Sequence, residues 1–414
     1  MVFSVLAADL RAQAFGIGRQ AEPRPRRIGA ELELIPLVAG THVPVPIRAE
    51  DGPSTLPLLR RLAAEHGWEE RTTLYGASRF RLPHGGEISF EPGGQIEIGT
   101  PPYRTATALL GALRTVTGTL RMAAAEDGIE LLSVGIDPYH SADEVPLQLF
   151  ATRYASMAEY FAALGPAGAR MMRRTASLQL NLDWEQEPAE RWCVLNAAAP
   201  YLTAIFANSP NHAGVPTGHA SYRAASWGEL DPTRTGIFPC DGDPVGEYLR
   251  FALAAPVIAK YSAKTGRLRA DEWILRGDLC MEEWQTHLTT LFPEVRPRGY
   301  AEIRSIDAID PEWLAAPVAL VAGITYHAPA RREAKALLGS PDPRLLPRAA
   351  REGLSDPHIA AVARELFAIG LRGARKLGEG FLAANEVEIA EEFLARYTEA
   401  GLAPADEARE LEPC

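Results

Sequence analysis

Cysteine, histidine and long apolar runs are all scarce in this chain of 414 residues. Its 4 cysteines, Cys193, Cys240, Cys280 and Cys414, show neither a CxxC pair nor Cys/His spacing. That excludes a disulfide framework and a zinc knuckle and predicts reduced thiols. No apolar run approaches the roughly 20 residues that a membrane helix needs. The chain opens without a charged-then-apolar signal pattern, so the expectation is a soluble, cytoplasmic protein with no membrane partner. Basic charge is also short, with 42 Lys and Arg against 53 Asp and Glu and a formal net charge of −11. A nucleic-acid partner is excluded on that ground, because phosphate neutralisation calls for a basic face. Anionic small molecules must meet locally placed arginine, lysine or metal ions. There is no GxxxxGKS/T run and no GxGxxG run, which leaves a P-loop or a dinucleotide fold without support.

What the chain has is a set of short segments alternating apolar and polar residues. IGAELELIPL from Ile28, EISFE, QIEIG, SLQLNLDW (177 to 184) and YAEIRSI (300 to 306) carry the period of two that marks a strand with two unlike faces. Between them lie Ala- and Leu-rich segments, 105 to 128, 191 to 209, 244 to 262 and 311 to 327, which read as core-facing helices. Such strands, mixed with helices out of strict β-α-β rhythm, predict an α+β fold: an antiparallel sheet with helices on one face and an open polar face. Ile28, Leu32, Leu34, Ile96, Ile98, Leu178, Leu180, Leu182 and Ile303 should face the helices. Residues 1 to 27, with the Pro/Arg stretch RQAEPRPRR, read as a flexible lead-in. A single catalytic domain follows over 28 to 402, with its motifs in 28 to 330 and helices in 331 to 402, and 403 to 414 is an acidic tail.

Residues i and i+2 of a strand point to one side. Glu31 with Glu33, Gln95 with Glu97, Gln179 with Asn181, and Glu302 with Arg304 are therefore same-face pairs that converge if their strands adjoin. Gathered carboxylates repel, and protonation or a cation must relieve them. With little His or Cys nearby, oxygen ligation selects Mg²⁺, with Mn²⁺ as the alternative, and such an ion leaves room for phosphate oxygens. Any one Glu-x-Glu strand is more often a solvated sheet face. PGG in FEPGGQ reads as a hairpin turn whose glycines supply positive φ. His287 stands alone as a candidate partner of substrate or metal, and Arg223 and Arg234 lie in a loop-like stretch where they either brace the loop or grip a carboxylate.

In order along the chain, IGAELEL, SFEPGGQIEIGTPP, TASLQLNLDW, ANSPN, SYRAASWGELDPTRTG and THLTTLFPEVRPRGYAEIRSID resemble the plant and bacterial type of glutamate cysteine ligase, including its ergothioneine-pathway relatives. The resemblance runs from about residue 28 to 330. It implies a glutamine synthetase-like fold, with a curved antiparallel sheet around an ATP and metal site. The implied substrates are glutamate, cysteine and ATP, the product is γ-glutamylcysteine for glutathione or ergothioneine biosynthesis, and the protein is a monomer or homodimer. By the same resemblance Glu31, Glu33, Glu97 and Glu302 are the metal carboxylates, with Gln179 or Asn181 completing the shell. Glu91 and Gln95 line that wall, and Arg304 contacts the γ-phosphate. Two departures bear on the acceptor: YAEIR continues SIDAIDPEW without the RGADGG run of plant members, and the first strand reads ELE in place of EHE. The alternative is a ligase of the same fold that joins glutamate to another amine. A metal-dependent hydrolase, working without ATP, and a silent binding protein are the more distant readings.

Overall fold

The computed structural model describes residues 3–17, 26–73, 77–185, 188–262 and 264–410. The bulk of the RQAEPRPRR lead-in, together with Cys414, lies outside the described residues. Among those described, nine strands build one sheet: β1 (Ile28–Val38), β2 (Glu69–Thr72), β3 (Ser78–Arg81), β4 (Glu87–Phe90), β5 (Ile96–Gly99), β6 (Ile129–Leu132), β7 (Ser177–Leu182), β8 (Val295–Pro297) and β9 (Ala301–Asp307). They run in the order β8-β9-β7-β1-β5-β4-β3-β2, and β6 pairs with the far half of β1. Every pairing is antiparallel.

Period two decides the faces. Ile28, Leu32, Leu34, Ile96, Ile98, Leu178, Leu180, Leu182 and Ile303 are all wholly buried or nearly so. The residues between them form the other face. Helices cover the apolar side, among them α1 (Ala106–Glu126), α2 (Pro188–Ile205), α3 (Ala315–Tyr326) and α4 (Pro357–Leu377). α1 begins at Thr105, whose side chain accepts from the Ala108 amide at 3.2 Å and so satisfies one of the donors that a helix start leaves open. In the apolar segment 244 to 262 the α-helix ends at Ala254 and only a short 3-10 turn, Ile258–Lys260, follows, since Pro256 disfavours helix in the residue before it.

Two differences from expectation concern the ends of the chain. Phe3–Asp9 is helical, and a wider helical turn follows over Leu10–Ala14. Leu6, Leu10 and Phe15 sit inside the core, so the first residues belong to the fold and are not a loose lead-in. Phe15 packs against Trp184 and Trp192 with ring centroids 5.4 Å away in each case, and the Trp184 indole donates to the Ala14 carbonyl at 3.0 Å. The presumed acidic tail is likewise helical over Pro404–Glu410, anchored by buried Ala403 and Ala405. The helical third after residue 330 is welded to the core where α4 crosses α3. A Cβ on Gly323 would lie 1.9 Å from the Gly370 carbonyl oxygen, and only glycine permits backbones that close.

Candidate functional site

Register brings the polar residues together. Glu33 of β1 stands opposite Glu97 of β5, which stands opposite Ser89 of β4. Glu31 faces Gln179 of β7, Asn181 faces Glu302 of β9, and Glu302 faces Arg296 of β8. Opposed residues of an antiparallel pair share a face with Cβ atoms about 5 Å apart. Carboxylates and guanidiniums thus line one cleft of about 950 Å³ that includes Glu31, Glu33, Glu91, Glu97, Arg223 and Arg304.

The turn between β4 and β5 carries Glu91 and Gln95. The Glu91 amide donates to the Gln95 carbonyl, and the Gly94 amide to that of Glu91, both at 2.9 Å. Gly94 has φ +93°, as a hairpin glycine should, whereas Gly93 is required for a different reason: its Cβ would fall 2.0 Å from the Arg173 carbonyl oxygen. The turn is pressed onto the helix Ala167–Arg174, and Gln95 Nε2 secures it by donating to the Thr175 carbonyl at 2.8 Å.

Electrostatically the face divides. Burial first, then the charges of Glu302 and Glu97, push Glu31 up to about 7. Glu33 and Glu97 are raised chiefly by burial; Arg223 and Arg304 pull Glu33 back, while Glu33 itself pushes Glu97 further up. Glu91 rises well above the carboxylate range, through burial and then Glu97 and Glu33. Glu302 behaves oppositely. Burial works to raise it, but Arg296, Arg304 and Arg298 outweigh that and hold it low. Arg296 Nη2 and Arg298 Nη1 each reach its Oε1 at 2.9 Å, Arg296 Nε binds the other oxygen, and Arg304 Nη1 lies 3.5 Å from it.

The structure therefore places the expected residues in three groups. Glu31, Glu33, Glu91, Gln95, Glu97, Gln179, Arg223 and Arg304 line the cleft together. Glu302 is brought to the same rows but lies fully buried beneath them, its charge balanced by guanidiniums; it braces arginines where a free metal carboxylate was expected. Asn181 sits beside it, its amide 3.5 Å from Glu31. His287 and Arg234 are elsewhere, outside the cleft lining. His287 Nε2 donates to the Ala252 carbonyl at 2.8 Å, and burial followed by the charge of Arg234 lowers its pKa to about 3. Arg234 is enclosed under Tyr160, 4.8 Å from its ring, and ion-pairs Asp231 at 3.3 Å.

Arg296 and Arg298 are site residues that the same-face pairs of the strands do not include. Their signal was in VRPRGYAEIR, where a two-strand hairpin sets arginines opposite Glu302. Arg79 and Arg81, which alternate with buried Phe80 on β3 and line the same cleft, could also be found by period two. Arg223 is held from behind: Asp307 lies 3.6 Å from its guanidinium while accepting from Ser209 Oγ at 2.6 Å, the Asn208 amide at 2.8 Å and Ser221 Oγ at 2.9 Å.

A hard divalent cation suits Glu31, Glu33, Glu91 and Glu97, because these carboxylates lack the arginine neutralisation that Glu302 enjoys and repel one another. Among the described residues, no group of three or more His, Cys, Asp or Glu side chains is already closed around a metal position.

The fold is shared with the glutamate–cysteine ligase of Francisella tularensis solved in complex with AMP, at a TM-score of 0.55 and 14% identity over 94% of this chain and 84% of that one. The chain belongs to glutamate-cysteine ligase family 2, whose model matches residues 27–413, so the helical C-terminal third lies within the family domain as well. Over 343 residues it is 36% identical to the glutamate–cysteine ligase EgtA of Mycolicibacterium smegmatis, covering 79% of this chain and 78% of that protein. The chloroplastic glutamate–cysteine ligase of Medicago truncatula is 33% identical over 288 residues, 65% of this chain and 56% of its own length. Among the described residues no single helix is long and apolar enough to cross a membrane.

Proposed function

We propose that this protein is an ATP-dependent glutamate–cysteine ligase, joining the γ-carboxyl of glutamate to the amino group of cysteine for low-molecular-weight thiol biosynthesis, of glutathione or ergothioneine. The observation that carries this reading is the meeting, in one cleft, of carboxylates left short of cations with the guanidiniums of Arg223 and Arg304. A carboxylate is a poor electrophile. Transfer of the γ-phosphoryl group of ATP to the γ-carboxylate of glutamate gives γ-glutamyl phosphate and ADP. The neutral amine of cysteine then forms the amide, expels phosphate and loses a proton.

Arg304 is the group assigned, on this reading, to the transferring phosphoryl. Its Nη1 donates to Gln179 Oε1 at 2.6 Å and its guanidinium carbon lies 5.1 Å from the Trp227 ring centre, so it is oriented before substrate arrives. Preorganised charge of this kind is where phosphoryl transfer gains most. Mg²⁺ or Mn²⁺ on Glu31, Glu33, Glu91 and Glu97, when bound, would neutralise triphosphate charge that the arginines leave uncovered. Buried Glu302 keeps Arg296, Arg298 and Arg304 gathered without drawing on those carboxylates.

A coupled ADP-release assay with Mg²⁺ and glutamate, run with and without cysteine, tests this, with the product weighed by mass spectrometry. ADP should appear in step with γ-glutamylcysteine. Turnover no faster with cysteine than without it would count against the reading. The departures in the first strand and after YAEIR favour, as the second reading, the same chemistry on another amine, and the product masses across a panel of acceptors separate the two.

A further inference from the structure

Residues 3 to 17 lie ahead of the family domain, whose model begins at residue 27, yet Asp9, Leu10, Gln13 and Ala14 line the cleft. We propose that this segment is a working brace of the site: it clamps the turn between β8 and β9 and so holds Arg298, with Arg296 beside it, where they meet the triphosphate of ATP. This rests on the ligase reading above and gives a positioning role in it to residues outside the family domain.

Backbone makes the clamp. The Ala14 carbonyl accepts twice, from the Gly299 amide at 2.7 Å and from the Trp184 indole at 3.0 Å. Gly299 has φ +85°, and a Cβ there would stand 3.2 Å from the Gln13 carbonyl oxygen, so turn and segment meet with no room for a side chain between them. The turn is closed on itself by the Arg298 amide, which donates to the Tyr300 carbonyl at 2.9 Å. Arg298 belongs to this turn and Arg296 to β8 just before it. Arg296 is buried and reaches both oxygens of Glu302 and the Leu291 carbonyl. Arg298 is half exposed and reaches Glu302 through one nitrogen. Its place over the cleft therefore depends on where the turn is held, and guanidiniums that meet phosphate gain from being held in advance.

The segment is itself anchored away from the turn. Leu6, Leu10 and Phe15 lie in the main core, and the Phe15 ring stands 6.4 Å from that of Tyr248, another residue of the cleft lining. Arg11 pairs with Asp243 at 3.2 Å, but both side chains are half exposed and such a pair contributes little. Apolar docking, more than charge, sets the position of the Ala14 carbonyl. Coupling of this kind is reciprocal: a segment that orders the turn for nucleotide is in turn ordered by nucleotide.

The test uses the full chain, with steady-state kinetics and amide hydrogen exchange as separate readouts. Leu6→Ala loosens the docking at a residue outside the cleft lining and should raise the KM for ATP by about tenfold, with the KM values for glutamate and cysteine within about twofold. Trp184→Phe takes one of two donors from the Ala14 carbonyl and should raise the KM for ATP by about threefold. A merely structural role would lower Tm and the folded fraction, and hence the apparent kcat, while leaving every KM alone; that result in both variants would overturn the proposal. In the unaltered protein, Mg²⁺ with a non-hydrolysable ATP analogue should slow exchange at the Gly299 amide and across residues 3 to 17 by about tenfold. Unchanged exchange there would overturn it as well. If Leu6→Ala does not fold, Trp184→Phe and the exchange rates decide alone. ADP release that glutamate and cysteine do not stimulate, seen before any variant is made, would show instead that the ligase reading itself had failed, and the brace would lose its role with it.

Discussion

Two halves of one polar face treat enclosed carboxylates in opposite ways. On β1, β5 and the turn before β5, Glu31, Glu33, Glu97 and Glu91 are pushed upward by burial and by one another. On β9, Glu302 is more deeply buried than any of them and is nevertheless held low, because Arg296, Arg298 and Arg304 surround it. Burial alone therefore does not mark a ligand. The uncompensated charge does: on the function proposed above one half of the face would take a cation, and the other is a closed salt-bridge cluster that holds Arg296, Arg298 and Arg304 in place.

The sharpest way to break this comparison is to remove charge from the waiting half. Glu97→Gln is expected to lower kcat/KM by at least about 10³-fold, roughly 4 kcal/mol, while Tm holds or rises, because a repelling carboxylate has gone. Steady-state kinetics and thermal melting on the same sample check both. Near-normal turnover would remove Glu97 from the site.

The same change in the closed half should do the reverse to stability. Glu302→Gln leaves three guanidiniums without their counter-charge, and breaking a buried pair from one side costs about 3–5 kcal/mol. Urea denaturation measures it. A loss under about 1 kcal/mol would mean that the arginines are held by something else, such as Gln179 and the Leu291 carbonyl that Arg296 reaches at 3.3 Å.

That contrast also shows where sequence reading stopped. The strands and their faces were legible because IGAELEL and SLQLNL alternate without interruption, and Leu32 and Leu180 could point only one way. The grouping of Glu31, Glu33 and Glu97 followed from the same period. Glu302 looked identical by that rule, since its partner Arg296 is set by a register across a hairpin and by nothing local. Gly93 and Gly94 looked alike for a similar reason: Gly94 needs its φ, whereas Gly93 answers to the Arg173 backbone, 80 positions away. The helix at Phe3–Asp9 is legible as well, for Leu6, Leu10 and Ala14 recur every fourth residue and are buried.

Titration sharpens the comparison with a smaller effect. Glu31 goes from an ordinary 4.5 to about 7, so the native state keeps a proton that the unfolded chain has lost. Between those values the native state binds more protons, and stability falls as pH rises. The other three acids shift in the same direction. Without divalent ions Tm should drop by a few degrees, on the order of 5 °C, between about pH 5 and pH 8. Saturating Mg²⁺ should flatten that slope, and Glu31→Gln should flatten it without Mg²⁺. Equal slopes in all three conditions would mean that the acids do not repel as their placement requires.

The smallest effect belongs to His287, which lies outside both halves. Its single hydrogen bond, to the Ala252 carbonyl, is worth about 1 kcal/mol, and His287→Gln should cost no more than that at pH 7 while leaving kcat and every KM within about twofold. The sign then reverses in acid. His287 stays neutral down to about 3 in the fold but takes a proton near 6.5 once unfolded, so it weakens the native state progressively as pH falls through that window. Glutamine carries no such liability, and the variant's deficit should shrink or invert by about pH 4. Melting curves at both pH values test this; a variant that loses activity at pH 7 with its Tm intact would instead bring His287 back into the chemistry.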